Sequence, residues 1–222
     1  MIFSTASFLA WVVAFIFGIA IREYLKALVA DRLGDKLPRS QGRLTLNPTM
    51  HHHGLGLVLA FMASVGYPVI TWGKPVEVNT HALRGGRGSI TLVSAVGILA
   101  NLLLGWLIWL AASPYIRNAK STDLLANFLY GLVLVNLLLF AFNLLPIPPL
   151  DGYYFIKGLL PAQWDVKLQS YETYGMLILV IVVLFIPFLF GIFSSRGGNP
   201  IFDFIIYPIV RAVGGLLGIS IV

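Results

Sequence analysis

Arg22-Glu23-Tyr24-Leu25-Lys26 follows directly on an uncharged stretch, Met1 to Ile21. On a continuing helix, positions 22 and 26 are i and i+4, so they share one face with Glu23 beside them. His-Glu-x-x-His at this spacing would put two imidazoles on a zinc ion and a carboxylate next to it as general base. Here the carboxylate is present and the flanking positions are an arginine and a lysine. Arginine does not lose its proton in practice, and lysine ligates zinc only after losing one. A second group with chemistry in it is Asn143-Leu-Leu-Pro146-Ile-Pro148-Pro149-Leu150-Asp151-Gly152. Its prolines stop a helix and free backbone carbonyls, so that backbone has to be buried in protein or face a cavity. Asp151 ends the 27-residue uncharged run that starts at Leu124. An acid in such surroundings needs a partner.

The elements that must position these residues are membrane helices. The chain is 222 residues, 58% hydrophobic and 11% charged, against about 25% charged in a soluble domain. Uncharged blocks at Met1–Ile21, Ser89–Ala112, Leu124–Leu150 and Thr173–Ser195 each exceed the roughly 18–20 residues that cross a bilayer core. The composition therefore predicts an all-α polytopic membrane protein, one membrane domain over residues 1–222. The first block lacks a basic start and a small-residue cleavage site, which reads as a first span rather than a secretion signal. Its helical pattern runs on through Leu33 to a stop at Gly34. We expect transmembrane helices at 1–33, 89–112, 124–146 and 173–195, with the proline turn at 143–152. An interfacial amphipathic helix is expected at 203–222. Between them, 37–88 should hold loops, short strands at Leu37–Pro48 and Lys74–Asn79, and a re-entrant segment at Gly54–Gly73 broken by Gly66 and Pro68.

Charge sets the orientation. A net charge of +6 on a chain of this hydropathy fits loops beside anionic lipid, and makes nucleic acid a poor partner. Placing Arg22 and Lys26 toward the cytoplasm, with the N-terminus extracytoplasmic, puts most of the fifteen Lys and Arg on that side if 54–73 enters and leaves by one face. With no cysteine there is no disulfide framework and no thiolate ligand.

Taken together, the motifs resemble the site-2 protease family of intramembrane zinc metalloproteases, in its short form without a PDZ domain. The likeness runs in order over residues 18–161. It takes in Arg22-Glu23-x-x-Lys26, then Gly42-Arg43-Leu-Thr-Leu-Asn47-Pro48 with His51, then Trp72-Gly-Lys74-Pro75-Val76-x-Val78-Asn79. It continues through Gly97-Ile98-Leu-Ala-Asn101 to the Asn143–Gly152 element. The resemblance implies zinc held by two motif histidines and a later aspartate, with the glutamate polarising water. Carried over by position, Glu23 matches the general base and Asp151 the third ligand. Arg22 and Lys26 stand where the two histidines would be and are not expected to bind metal. Ile98 replaces a usual proline. His51, Asn101, Asn143, Pro148 and Gly152 are the other active-site candidates the resemblance implies, and the family's edge sheet would be a place for a client segment to add by backbone pairing.

One carboxylate ligand is too few for a catalytic zinc, which needs three protein ligands. No cofactor is therefore expected. Two cations with two carboxylates balance to zero, as zinc with two neutral imidazoles and two carboxylates would. We expect Arg22–Asp151 and Glu23–Lys26 contacts to form a metal-free strut in a pseudoprotease that binds transmembrane clients. The alternatives are an active intramembrane metallopeptidase that recruits metal otherwise, an enzyme inactivated by introducing Arg22 and Lys26, or a structural or transporter-like membrane protein. His51, His52 and His53 are consecutive and so cannot all face one ion on a regular element; with His81 they read as a loop cluster at the membrane surface.

Overall fold

A computed structural model describes residues 5–67, 69–193, 199–219 and 221. Pro68 and the ends of the expected spans at 1–4, 194–195, 220 and 222 lie outside the described residues. Among the described residues, four helices are long and apolar enough to cross a membrane, at Phe8–Arg32, Arg87–Asn118, Leu124–Asn143 and Ala162–Ile192.

Helix α1 (Thr5–Arg32) turns small residues inward. Ala10 lies against Gly131, where an added Cβ would come within 2.6 Å, and Gly18 lies against Asn136 and Leu139. Small side chains let backbones approach closely, which is how helices associate where lipid removes the hydrophobic drive. α5 (Leu124–Asn143) therefore runs parallel to α1, starting from the Asp123 cap, whose Oδ1 accepts from the Ala126 amide at 2.8 Å. That amide holds the Asp123 carboxyl below its ordinary range. α4 (Arg87–Asn118) runs opposite to both. Gly105 faces Asn136 and Val133, and Gly97 faces Lys26 and Asp151.

Because α1 ends and α4 begins at the same end of this bundle, the chain between them leaves and returns. Gly34 (φ 110°) closes α1, with the Asp35 amide reaching back to Ala30 O at 3.0 Å, the bond a helix C-terminus with a glycine makes. The turn α2 (Leu37–Ser40) follows, then a 3-10 turn at Pro48–Met50 capped by Asn47. α3 (Gly54–Ser64) runs antiparallel to α1, with Phe61 edge-on to Phe8 at 6.3 Å. After Gly66 (φ 93°) the chain comes back extended. Thr71 Oγ1 donates to Gly56 O at 2.5 Å, and the Lys74 amide meets His51 O at 2.8 Å. The entry and exit of 54–73 are thus adjacent.

Strands were expected at Leu37–Pro48 and Lys74–Asn79, and there is no strand among the described residues. Pro38, in the first turn of α2, favours a helical start over a ladder. Residues 74–79 are extended, but their amides bond to side chains and loop carbonyls instead of a second strand.

After the proline turn, α6 (Asp151–Leu159) folds back on the start of α4. Gly158 fits against Thr91 and the Arg87 carbonyl. α7 (Asp165–Val180) and α8 (Ile186–Phe193) are joined by a π-helical turn at Ile181–Phe185. α7 is pinned at its first turn by Arg87–Asp165 at 2.6 Å and about two turns later by Lys157–Glu172. A π-helical turn at Phe202–Ile206 leads into α9 (Tyr207–Leu216), and the stripe Phe202, Ile206 and Val210 is buried in the core. Trp72 and Trp109 are also buried, so these two are packing residues.

A Cβ at residue 158 would sit 2.7 Å from the Thr91 backbone nitrogen and 2.9 Å from Arg87 O, and neither backbone atom can rotate away. Gly158→Ala should separate α6 from α4 and cost about 1–3 kcal/mol, measured as a lower thermal unfolding midpoint in detergent.

Candidate functional site

Four charges meet where α1, α4 and α6 converge. Arg22, Glu23 and Lys26 come from α1, and Asp151 is the first residue of α6. Exposure is 4% for Arg22, 0% for Glu23, 5% for Lys26 and 1% for Asp151, so none is solvated from outside. Arg22 Nη2 pairs with Glu23 Oε1, and Arg22 Nη1 lies 3.5 Å from Asp151 Oδ2. Lys26 Nζ is 2.5 Å from Asp151 Oδ1 and 3.5 Å from Glu23 Oε2. Each cation touches both carboxylates, and the ring is closed. The two expected contacts, Arg22–Asp151 and Glu23–Lys26, are both present; the closer pairings are the other two.

Local structure explains the convergence. The spacing of 22, 23 and 26 on one helix face is set by the helical repeat. Arg22 Nη1 also donates to Asn143 Oδ1, and Asn143 Nδ2 donates to Leu139 O at 2.7 Å, fixing the arginine to the end of α5. Gly152 lets the first turn of α6 lie on the Leu144 and Leu145 carbonyls, which places Asp151 at the cluster's depth. Gly97 supplies the remaining space, because a Cβ there would strike the Asp151 carboxylate and the Lys26 stem. Both Asp151 oxygens touch cations yet neither makes a well-directed hydrogen bond, and Arg22 Nε also has no partner.

The other candidates lie around this ring. Asn101 is a turn beyond Gly97 along α4. Its Nδ2 donates to Gly18 O at 3.2 Å and Asn136 Oδ1 at 3.0 Å, tying α4 to α1 and α5. Pro148 faces away, packed against Gly175 of α7. His51 is buried beside the site, but its Nε2 bonds Thr45 O at 2.7 Å. His52 Nε2 bonds Ile16 O at 2.9 Å, and His53 Nδ1 accepts from the Gly56 amide at 2.9 Å as the cap of α3. The three rings thus go to three separate structural bonds. Burial lowers the affinity of all three for a proton, so they stand neutral near pH 7.

Three contributors were not among the site candidates read from the sequence, although Arg43 and Val76 stand inside the quoted motifs. Asn136, seven residues before Asn143 in an apolar run, was a readable signal, since a buried amide needs a partner. Arg43 is buried and donates to the Met50 and Lys74 carbonyls, joining the loop ends on either side of α3. The Val76 amide donates to Glu23 Oε2 at 3.0 Å; a backbone donor carries no sequence signal at all. Beside the ring is a cavity of about 290 Å³, lined by Lys26, Asp151, Pro75–Val78, Ser94 and Tyr154 among others. Burial pushes the Tyr154 hydroxyl up to about 12, so it stays protonated and can donate.

This donor set does not suit zinc. No three His, Cys, Asp or Glu side chains converge among the described residues. The carboxylates of the ring are each already engaged by two cations.

Comparison with known proteins gives the family. The chain is 33% identical over 208 residues to "Putative zinc metalloprotease YwhC" of Bacillus subtilis, covering 90% of this chain and 85% of that protein. It is 31% identical over 182 residues to "Putative zinc metalloprotease Rip2" of Mycobacterium tuberculosis, covering 80% of this chain and 67% of the relative. The Rip2 of Mycolicibacterium smegmatis is 29% identical over the same length. No family model matches the chain, and no solved structure does. The fold and these relatives define an integral, multi-pass membrane protein of the intramembrane metalloprotease class. The chain belongs to the site-2-protease-type family of zinc metalloproteases.

Removing one member of a buried ion pair costs about 3–5 kcal/mol because it strands the partner's charge. Arg22→Ala should therefore lower stability by that amount, and Arg22→Ala with Asp151→Asn by less. Thermal unfolding in detergent checks this; strictly additive losses would show that the two side chains do not act together.

Proposed function

We propose that this chain is a metal-free, non-cleaving member of its family that holds transmembrane or membrane-proximal client segments. The observation that carries the reading is the closed ring of Arg22, Glu23, Lys26 and Asp151. In the proposal, Glu23 stands at the general-base position, Asp151 at the third-ligand position, and Arg22 and Lys26 at the two histidine positions. The two cations do the electrostatic work of a dication. They neutralise the carboxylates in a place where an unpaired charge costs several kcal/mol or more. Neither cation can act as a Lewis acid on a carbonyl, so the peptide bond is left uncut.

The client takes the cavity between the extended wall Pro75–Thr80 and the first turns of α4 and α6. An unwound segment needs backbone partners when it leaves its own helix inside the membrane, and an extended wall is the standard way to give them. The mouth of the site faces the cytoplasm in this reading. Cations on the loops around the site, at Arg32, Lys36, Arg39, Lys74 and Arg84, outnumber those at the other end of the bundle. The excursion at 54–73 re-enters the membrane from that side, which is consistent with its adjacent entry and exit.

Elemental analysis of the detergent-purified protein tests this beside the Arg22→His/Lys26→His variant. The unmodified chain should carry no stoichiometric zinc. The variant, with its two imidazoles and Asp151, should bind about one zinc per chain and gain cleavage of a membrane-protein reporter. Stoichiometric zinc or cleavage with the unmodified chain would refute the proposal.

A further inference from the structure

The extended wall 74–79 pairs with no other strand among the described residues, and its fixings are few. Arg43 donates to the Lys74 carbonyl, and the Lys74 amide donates to His51 O. The Asn79 amide donates to Asp35 Oδ2 at 2.8 Å. Between those ends the backbone is tied by the Val76 amide on Glu23 Oε2 at 3.0 Å, and the exposed Glu77 side chain accepts from Gln41 Nε2 at 2.8 Å. Among the described residues, the Glu77 and Val78 amides and carbonyls and the Val76 carbonyl have no partner. Glu23 itself is fully buried, and its other oxygen is taken by Arg22. Gly73 lets the wall approach, because a Cβ there would meet Ile19 and the His51 carbonyl, with Glu23 Cγ at 3.7 Å.

We infer that Glu23 is the positioning residue of the client groove, holding the wall Pro75–Thr80 against α1 through the Val76 amide. This rests on the proposed function, in which a client peptide takes the groove, and gives the glutamate a use other than moving a proton. The charge ring and the wall then form one unit. Arg22 and Lys26 hold Glu23 aimed, a carboxylate makes a strong acceptor for a backbone N–H, and the bond leaves the neighbouring Glu77 and Val78 backbone groups unspent. The occupant this fits is an extended peptide backbone, which has the alternating donors and acceptors those groups lack.

Amide hydrogen exchange read at single residues in detergent tests the inference. In the unmodified protein Val76 should exchange about tenfold or more slowly than Val78, the scale of one hydrogen bond to a charged group. Two charge-balanced variants keep the Arg22–Asp151 pair. Glu23→Ala/Lys26→Met should lose the protection at Val76, and Glu23→Gln/Lys26→Met should restore it, since the amide oxygen still accepts. Unmodified protein with Val76 as fast as Val78, or a folded alanine variant with Val76 still protected, would overturn the inference. Should the alanine variant not fold, the unmodified protein and the glutamine variant decide the matter alone. Zinc content of the same samples keeps the two readings apart: bound zinc in the unmodified chain contradicts the function, and the exchange pattern judges Glu23.

Discussion

A charge inside a membrane protein must meet its opposite, and this fold is arranged around one place where four of them do. Arg22 and Lys26 would each be costly to bury alone, and so would Glu23 and Asp151. Together they make a neutral ring that spans two elements far apart in sequence. The ring explains why α6 must turn back where it does, why Gly97 has no side chain and why Asn143 ends α5. It also fixes the depth of the site relative to α1. The apolar packing of α1, α4 and α5 brings the helices together, and the charges choose the register in which they stop.

In the proposed function, the same ring sets this chain apart from relatives named as zinc metalloproteases in Bacillus and Mycobacterium. A zinc site with two neutral imidazoles and a two-cation site can have equal net charge. They differ in what they do to a substrate. A metal polarises a carbonyl and lowers the pKa of a bound water. A guanidinium and an ammonium already saturated by carboxylates do neither. Under the proposed function, the step from one to the other would remove catalysis while leaving the groove, the proline turn and the wall in place.

Much of this was legible in the residues. Long uncharged runs announced the spans, and the i, i+4 spacing of Arg22 and Lys26 with the isolated Asp151 announced the ring. Charge counting alone was enough to expect the Arg22–Asp151 and Glu23–Lys26 contacts, but not the two closer pairings that close the ring. The strands were misread because short alternation at Leu37–Pro48 and Lys74–Asn79 looks alike whether its backbone pairs with a strand or with side chains. Here Pro38 and the carboxylates of Glu23 and Asp35 took that backbone. Helix limits shifted for a similar reason. α7 starts at Asp165, earlier than its uncharged run, because Arg87 and Lys157 give its acidic first turns partners. The Val76–Glu23 bond was beyond reading, since every residue has an amide.

The claim underneath all of this is that Asp151 sits beside Lys26, at one depth and within reach of its side chain. The chain has no cysteine, so Lys26→Cys with Asp151→Cys introduces a unique pair while leaving Arg22 and Glu23 to balance each other. After treatment in membranes with a short bis-methanethiosulfonate reagent and cleavage between the two positions, the fragments should stay joined until reduced. Fragments that separate without reductant, from protein whose cysteines have both reacted, would contradict it.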